Sequence, residues 1–208
     1  MGEFIDVKHG FAFPGDRFRA YPTCDILLTP GNFAIGGGSK EDKVKYSEGL
    51  VSPDYILHQH DLVLTMTDLS KSTDTLGLPA LIPVPPSGCR YLHNQRLGKV
   101  IITKSGGVNT IFLYWLFCSE AYRHEILSGA TGTTVKHTSP SRIKAFSTVF
   151  PPSQVLQKFE EIAMPWYLKE ASNRVEFRTL AALRDTLLPR LLSGELSVAD
   201  ISTQSVHA

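Results

Sequence analysis

The chain has 208 residues, 42% hydrophobic and 20% charged, with 21 Lys and Arg against 20 Asp and Glu. That length accommodates one compact domain of about 150 residues plus an appendage, and the balance of apolar and charged residues excludes global disorder. A net charge of +1 argues against a free-standing coat on nucleic acid, which is usually strongly basic. It still permits a base reader whose partner supplies much of the phosphate contact. Cys24, Cys89 and Cys118 are widely spaced, odd in number and without a CxxC; the pattern suggests neither a zinc site nor a disulfide framework, and a reducing cytoplasm is the simplest setting. The acidic start, Met1-Gly2-Glu3-Phe4-Ile5-Asp6, lacks a signal-peptide core and fails the myristoylation pattern at Asp6. No apolar run approaches the roughly 20 residues that would span a membrane, so no membrane association is expected.

Residues 1–150 read as a β-rich mixture of short strands, turns and a few helices. Strands are predicted at Tyr55-Ile56-Leu57, at residues 61–66, at residues 78–83 and at residues 99–103, each a short apolar, β-branched run. Gly36-Gly37-Gly38-Ser39 and Pro85-Pro86-Ser87-Gly88 supply turns between them. Residues 109–127 predict one helix, with Ile111, Tyr114, Trp115, Cys118, Tyr122 and Ile126 recurring at helical spacing.

Pro151-Pro152 forbids helix across a junction and sets an expected boundary. Ser153 is read as the cap of a helix with Val155, Leu156, Phe159 and Ile162 on one side. Pro165 is expected to kink or restart it, and a second helix is predicted over residues 165–188, ended or bent by Pro189. Such a helix is about 36 Å long, close to the roughly 34 Å of one duplex turn. Trp166, Lys169, Asn173, Glu176, Leu180, Leu183 and Leu187 follow steps of three and four. This is a seam with apolar ends and a polar middle, fit either for a coiled coil that fixes its register through polar residues or for packing on its own domain.

Several residues have chemistry suited to DNA. Lys8, Arg17, Arg19, Lys40, Lys43 and Lys45 make the amino-terminal part locally basic, although any single one reads equally as a solvated surface cation. Asn94, Gln95 and Arg96 are adjacent, and Arg pairs with guanine edges as Asn or Gln does with adenine; the same side chains also satisfy buried backbone groups. Thr67, Ser70 and Lys71 form a polar loop just past a strand. In Ser128-Gly129-Ala130-Thr131-Gly132-Thr133-Thr134-Val135-Lys136, Gly129 and Gly132 permit close backbone approach. Thr131, Thr133 and Thr134 offer hydroxyls and amides to phosphate, with Lys136 and His137 beside them; a solvated turn is the alternative. Phe11 and Phe13 read as core or loop anchors.

Enzyme signatures are missing. Phe150 precedes Pro151-Pro152 and Ser153 follows, the wrong order for an amino-methyltransferase motif, and no glycine-rich cofactor or phosphate loop follows a strand. Pro53-Asp54 has no acid-x-Lys after it in nuclease order, and no Gly-x-Ser-x-Gly elbow exists. His58 and His60 would share a strand face, but no third metal ligand is indicated.

One stretch is more specific than the rest. Leu183-Arg184-Asp185-Thr186-Leu187-Leu188-Pro189-Arg190-Leu191-Leu192-Ser193-Gly194-Glu195 resembles the helical region of the specificity (S) subunits of Type I restriction–modification systems. Lys8-His9-Gly10-Phe11-Ala12-Phe13 resembles the glycine-aromatic start of their target-recognition domains. Residues 59–68 resemble the family's "GD-L-L" strand, with His60 in place of glycine. Residues 94–100 and 128–136 resemble a segment of one branch and the loop before the helical region.

The resemblance covers nearly the whole chain and implies a half-length S subunit, or a fragment of a longer one. The fold class expected is α+β: a target-recognition domain over residues 1–150, a long, kinked, coiled-coil-forming helical region over 151–197, and a tail over 198–208. It implies no catalysis in this chain, which would read one half of a split DNA site through Lys8, Arg17, Lys40, Lys45, Thr67, Ser70, Lys71, Asn94, Gln95, Arg96, Thr131, Thr133, Thr134, Lys136 and His137. Trp166, Asn173, Glu176, Leu180, Leu183 and Leu187 would form the partner seam. Expected partners are double-stranded DNA, a methyltransferase subunit that binds S-adenosylmethionine, a restriction and translocation subunit, and a second copy or another half-length chain. A protein–protein adaptor without a DNA role is the competing expectation.

Overall fold

The computed structural model describes residues 1–40, 44–70, 72–104 and 106–196. In chain order the strands are β1 (Ile5–His9), β2 (Phe18–Arg19), β3 (Asp25–Leu28), β4 (Lys45–Ser47), β5 (Ile56–Leu57), β6 (Leu62–Thr65), β7 (Thr67–Asp68), β8 (Pro79–Leu81), β9 (Arg90–His93), β10 (Leu97–Ile102) and β11 (Lys136–His137). The helices are α1 (Thr110–Cys118), α2 (Glu120–Ser128), α3 (Pro140–Ala145) and α4 (Ser153–Leu192). The fold is α+β. It divides into two units, residues 1–160 and residues 161 onward.

The first unit is built on two sheets. One runs β1-β10-β6-β8, antiparallel throughout; the other runs β2-β4-β3-β9-β5, with β3 and β9 parallel. Every residue of Leu62-Val63-Leu64-Thr65 is buried, so β6 is covered on both faces, which is why it reads as an unbroken apolar run rather than an alternating one. Leu27 and Leu92 are buried with Phe13, and Ile26, Leu28 and Tyr91 join Val63, Ala80 and Leu97 in the main cluster. The register of β3 on β9 is marked by a two-pronged ion pair, with Arg90 Nε and Nη2 at 2.6 and 3.1 Å from the Asp25 carboxylate. The fork matches the geometry that makes such pairs directional. Strands β1, β2, β3, β4, β7, β9 and β11 were not among those expected from the sequence.

The helix expected over residues 109–127 is two helices. Asn109 caps α1 by accepting from the Phe112 amide at 2.9 Å. Ser119 then turns extended (ψ 147°) and caps α2 through the Tyr122 amide, while its hydroxyl donates to the Leu116 carbonyl at 2.7 Å. A serine hydroxyl competes in this way with helical hydrogen bonding, so the apolar periodicity continues across a break it does not report.

The expectations about α4 also change. Ser153 occupies the first helical position rather than the cap; the Pro152 carbonyl accepts the Val155 and Leu156 amides at 2.9 and 3.1 Å. Pro165 and Pro189 both lie inside one helix, each deleting a single amide donor. The residue associated with the stop is Gly194 (φ +74°), where the Gly194 and Leu196 amides return to the Leu191 and Arg190 carbonyls. Glycine in the left-handed region is a common helix terminator. The first turns of α4 pack in the first unit: Leu156 is buried and Phe159 meets Phe112 edge-on at 6.0 Å.

In the second unit the helix carries an apolar stripe. Trp166, Phe177, Leu180 and Leu187 fall within about 100° of one another at 3.6 residues per turn, with Asn173 among them. Trp166 is 75% exposed, Phe177 76%, Leu180 56% and Leu187 37%. Leu183 and Glu176 lie at the stripe's edge, and both are exposed. The helical period therefore selects Phe177, which the stepped seam had passed over in favour of Glu176.

Candidate nucleic-acid interface

A sequence of backbone hydrogen bonds gathers four separated segments around one open cleft of about 640 Å³, lined by His9, Gly10, Phe11, Ala12, Met66, Thr67, Gln95, Arg96, His137 and Thr138. The Phe11 amide donates to the His93 carbonyl at 2.8 Å, and the Gln95 amide donates back to Phe11 at 2.9 Å. The Met66 amide takes the Arg96 carbonyl at 2.8 Å, and the Thr138 amide takes the Met66 carbonyl at 3.0 Å. Gly10 makes the first contact possible. A Cβ there would lie 2.2 Å from the Asn94 carbonyl oxygen, a backbone atom that cannot move aside, so the glycine of the His9-Gly10-Phe11 run is fixed by packing inside the protein.

Gln95 and Arg96 are the two exposed residues of a tight turn joining β9 to β10. Among the described residues, no hydrogen bond or ion pair engages either side chain. Asn94 differs: it is buried, and its side-chain oxygen accepts the Arg96 amide at 2.9 Å. It shapes the turn from within, so the expectation that it meets a base edge is corrected. The turn thus presents one guanidinium and one carboxamide outward on a scaffold that depends on neither.

Across the cleft, β7 and β11 pair antiparallel, with His137 opposite Thr67 and Lys136 opposite Asp68. Thr67 was expected in a loop; it is instead a buried strand residue whose hydroxyl lies 3.1 Å from His137 Nδ1. Ser70 does lie in the following loop, but its amide donates to Asp68 at 2.6 Å and its hydroxyl accepts the Asp74 amide at 3.2 Å. Burial pushes the Asp68 carboxyl up, and hydrogen bonds from Ser70 and Thr75 outweigh it, leaving the group below its usual range. Arg123 fastens the far side of this loop through the carbonyls of Thr73, Asp74 and Leu76. Lys71 lies outside the described residues.

Thr131, Thr133 and Thr134 are exposed, and Thr131 exchanges two backbone hydrogen bonds with His137 at 2.9 and 3.0 Å. Gly132 is required by packing within the protein, whereas the group nearest Gly129 is the movable end of an arginine side chain. A Cβ on Gly132 (φ +96°) would lie 2.0 Å from the Val135 carbonyl oxygen, and one on Gly129 would fall on the Arg142 guanidinium.

The remaining cations expected at the site do not line the cleft. Lys8 pairs with Asp54 at 3.2 Å and lies over the Tyr55 ring. Arg17 donates to the Leu50 carbonyl at 3.0 Å. Lys40 borders a separate cleft of about 220 Å³ with Tyr46 and Tyr91, and Lys45 is exposed on β4. His9 and Thr138 line the main cleft and were not singled out in the sequence; only the tertiary hydrogen bonds bring them there. His58 and His60 do not share a strand, because His60 turns left-handed (φ +67°). Among the described residues, no group of three or more His, Cys, Asp or Glu is placed to hold a metal ion, and no helix is long and apolar enough to cross a membrane.

No protein-family profile matches the chain. It is 33% identical over 89 residues to the Type I restriction enzyme MjaIX specificity subunit of Methanocaldococcus jannaschii, a match covering 42% of this chain and 21% of that protein. It is 32% identical over 123 residues to the Type I restriction enzyme HindI specificity subunit of Haemophilus influenzae, covering 59% and 25% respectively. The match thus spans a quarter or less of each curated relative. In fold, the chain superposes on the S subunit of a Type I restriction–modification system from M. genitalium with a TM-score of 0.65 at 15% identity, over 99% of this chain and 47% of that one. A chain from a structure of type I R-M complex assembly and conformational transition gives 0.55 at 12% identity, over 89% and 42%.

Proposed function

From its likeness in sequence and fold to the specificity subunits of Type I restriction enzymes, we propose that this chain is a non-catalytic DNA reader of the same kind, carrying one target-recognition domain. The observation that carries the reading is the cleft, where Gln95 and Arg96 project from a turn held by Asn94. An unengaged guanidinium and carboxamide side by side have the donor and acceptor pattern for guanine and adenine edges in a major groove. Lys136 and the exposed threonines of the adjoining loop supply positioning contacts to phosphate.

The second unit docks protein. Its exposed stripe of Trp166, Phe177, Leu180 and Leu187 is a large apolar surface for a solvated helix. A second copy covers it, and Asn173 sets the register. A two-fold pair of identical readers recognises an interrupted palindrome. The catalytic step belongs to a methyltransferase subunit, which binds S-adenosylmethionine and flips the target adenine from the duplex. A restriction and translocation subunit joins through that complex, in the cytoplasm.

The test is adenine-methylation mapping in cells carrying a compatible methyltransferase subunit, with and without this chain. A split, palindromic motif that vanishes with the chain is the expected result. Methylation that is active and unchanged without the chain would overturn the reading.

A further inference from the structure

Three widely spaced cysteines suggest no disulfide framework in the sequence, yet the fold brings two of them into contact. Cys24 immediately precedes β3, and Cys89 immediately precedes its parallel partner β9. The register sets Asp25 beside Arg90. The Arg90 amide donates to the Cys24 carbonyl at 2.8 Å, so the pairing runs on past the strand ends and brings Cys24 alongside Cys89. Paired strands lie about 4.8 Å apart, within the roughly 4.4–6.8 Å between Cα atoms that a disulfide spans.

The side chains agree with this placement. Asp25 and Arg90 join on one face, and residues one step along an extended chain point to the other. Cys89 packs on that other face, against the apolar cluster that holds Ile26, Leu28 and Tyr91. There the two thiols meet in a hydrogen bond, which lifts the Cys89 thiol above its ordinary value. Both are free thiols, and they differ in access: Cys24 is exposed and Cys89 is half-buried. A reagent arriving from solvent therefore meets Cys24 first, with Cys89 behind it as a second sulfur already in reach.

We propose that Cys24 and Cys89 form a site of reversible thiol–disulfide exchange that takes a low-molecular-weight disulfide as its oxidant. The Cys24 sulfur, as its thiolate, attacks one sulfur of the small disulfide; a mixed disulfide forms and the other half departs. The Cys89 sulfur then attacks the Cys24 sulfur, the Cys24–Cys89 bond forms and the second half departs. Each protein thiol gives up its proton, and each departing thiolate takes one up. Two protein thiols are thus oxidised by two electrons, and one small disulfide is reduced to two thiols. The product ties β3 to β9 at the end opposite the turn that carries Gln95 and Arg96. In a reducing compartment the pair rests as the dithiol and closes when small disulfides accumulate. The site stands independently of the DNA-reading function.

The experiment is oxidation of the reduced full chain by excess glutathione disulfide. Remaining thiols are blocked with N-ethylmaleimide under denaturing conditions, and the products are read by intact mass and peptide mapping. Of the three cysteines, wild type should carry maleimide on Cys118 alone, with the Cys24 and Cys89 peptides joined; dithiothreitol should return all three to the thiol. Cys89→Ser removes the second sulfur and should stop at the mixed disulfide of Cys24 with glutathione. Cys24→Ser should leave Cys89 largely as the thiol. Should either variant fail to fold, the wild-type peptide map decides. Wild type that keeps both thiols free, that retains glutathione on Cys24, or that links Cys24 only to another chain would overturn the proposal.

Discussion

His93 links acid stability to the wall of the cleft. It is fully buried at the end of β9, and Nε2 lies 3.0 Å from the Leu97 carbonyl, which makes Nε2 the protonated nitrogen that donates. Nδ1 is buried without a partner among the described residues. Burial lowers its pKa from 6.5 to about 4, with Lys99 and Lys8 adding repulsion against the raising effects of Leu97 and Asp61. The unfolded chain takes up a proton below about pH 6.5, while the folded chain resists until about pH 4. The stabilisation is therefore present above pH 6.5 and is lost as pH falls through that window. At about pH 5 the difference amounts to roughly 2 kcal/mol, and at about pH 7.5 to almost nothing, taking about 1.4 kcal/mol per pKa unit. Urea unfolding of wild type and His93→Gln at the two pH values isolates this group, because every other titration is common to both proteins. Wild type should lose about 2 kcal/mol more than the variant on acidification. Parallel losses would show that the imidazole is not held neutral in the fold.

Three further outcomes follow from geometry already described. Arg96→Ala should relax discrimination at one base pair of the target by about 1–3 kcal/mol, read by methylation of a degenerate-site library; uniform weakening at all sites would make Arg96 a positioning residue. Leu180→Asp should abolish self-association in sedimentation velocity without moving the unfolding midpoint of the monomer, since Leu180 is 56% exposed; an unchanged dimer would remove it from the seam. Gly10→Ala should destabilise the fold by about 1–3 kcal/mol in urea unfolding, because the new methyl meets the Asn94 carbonyl; a neutral result would mean that the segment of residues 9–12 shifts freely.

The parts of the fold legible in the sequence were those whose local pattern matched their environment. Residues 62–65 announce themselves as an apolar run because every residue of β6 is buried. Ile26-Leu27-Leu28 is as apolar and was still missed, for its stabilising partner, β9, lies more than sixty residues away. The α1 and α2 pair shows the opposite failure: periodicity ran through Ser119 because helix-breaking there depends on one hydroxyl. At the end of α4, proline was the more conspicuous signal and glycine the effective one. In the candidate site, residue chemistry pointed to positions 94–96 and 131–137, yet could not distinguish a side chain that faces outward from one that builds the turn. His9 and Thr138 were invisible because only long-range backbone pairing carries them to the cleft.

The turn joining β9 to β10 separates what holds the fold from what meets the outside. Its shape is set by the Asn94 side chain binding the Arg96 amide and by the Leu97 amide returning to the Asn94 carbonyl at 2.9 Å, and neither bond involves the side chains at 95 or 96. Those two positions can therefore be exchanged with little effect on folding. A chain built this way can acquire a new preference through changes in two adjacent codons, and a library randomised at 95 and 96 should consist largely of folded members. Stability and selectivity are then free to evolve along separate lines within a single hairpin-sized segment.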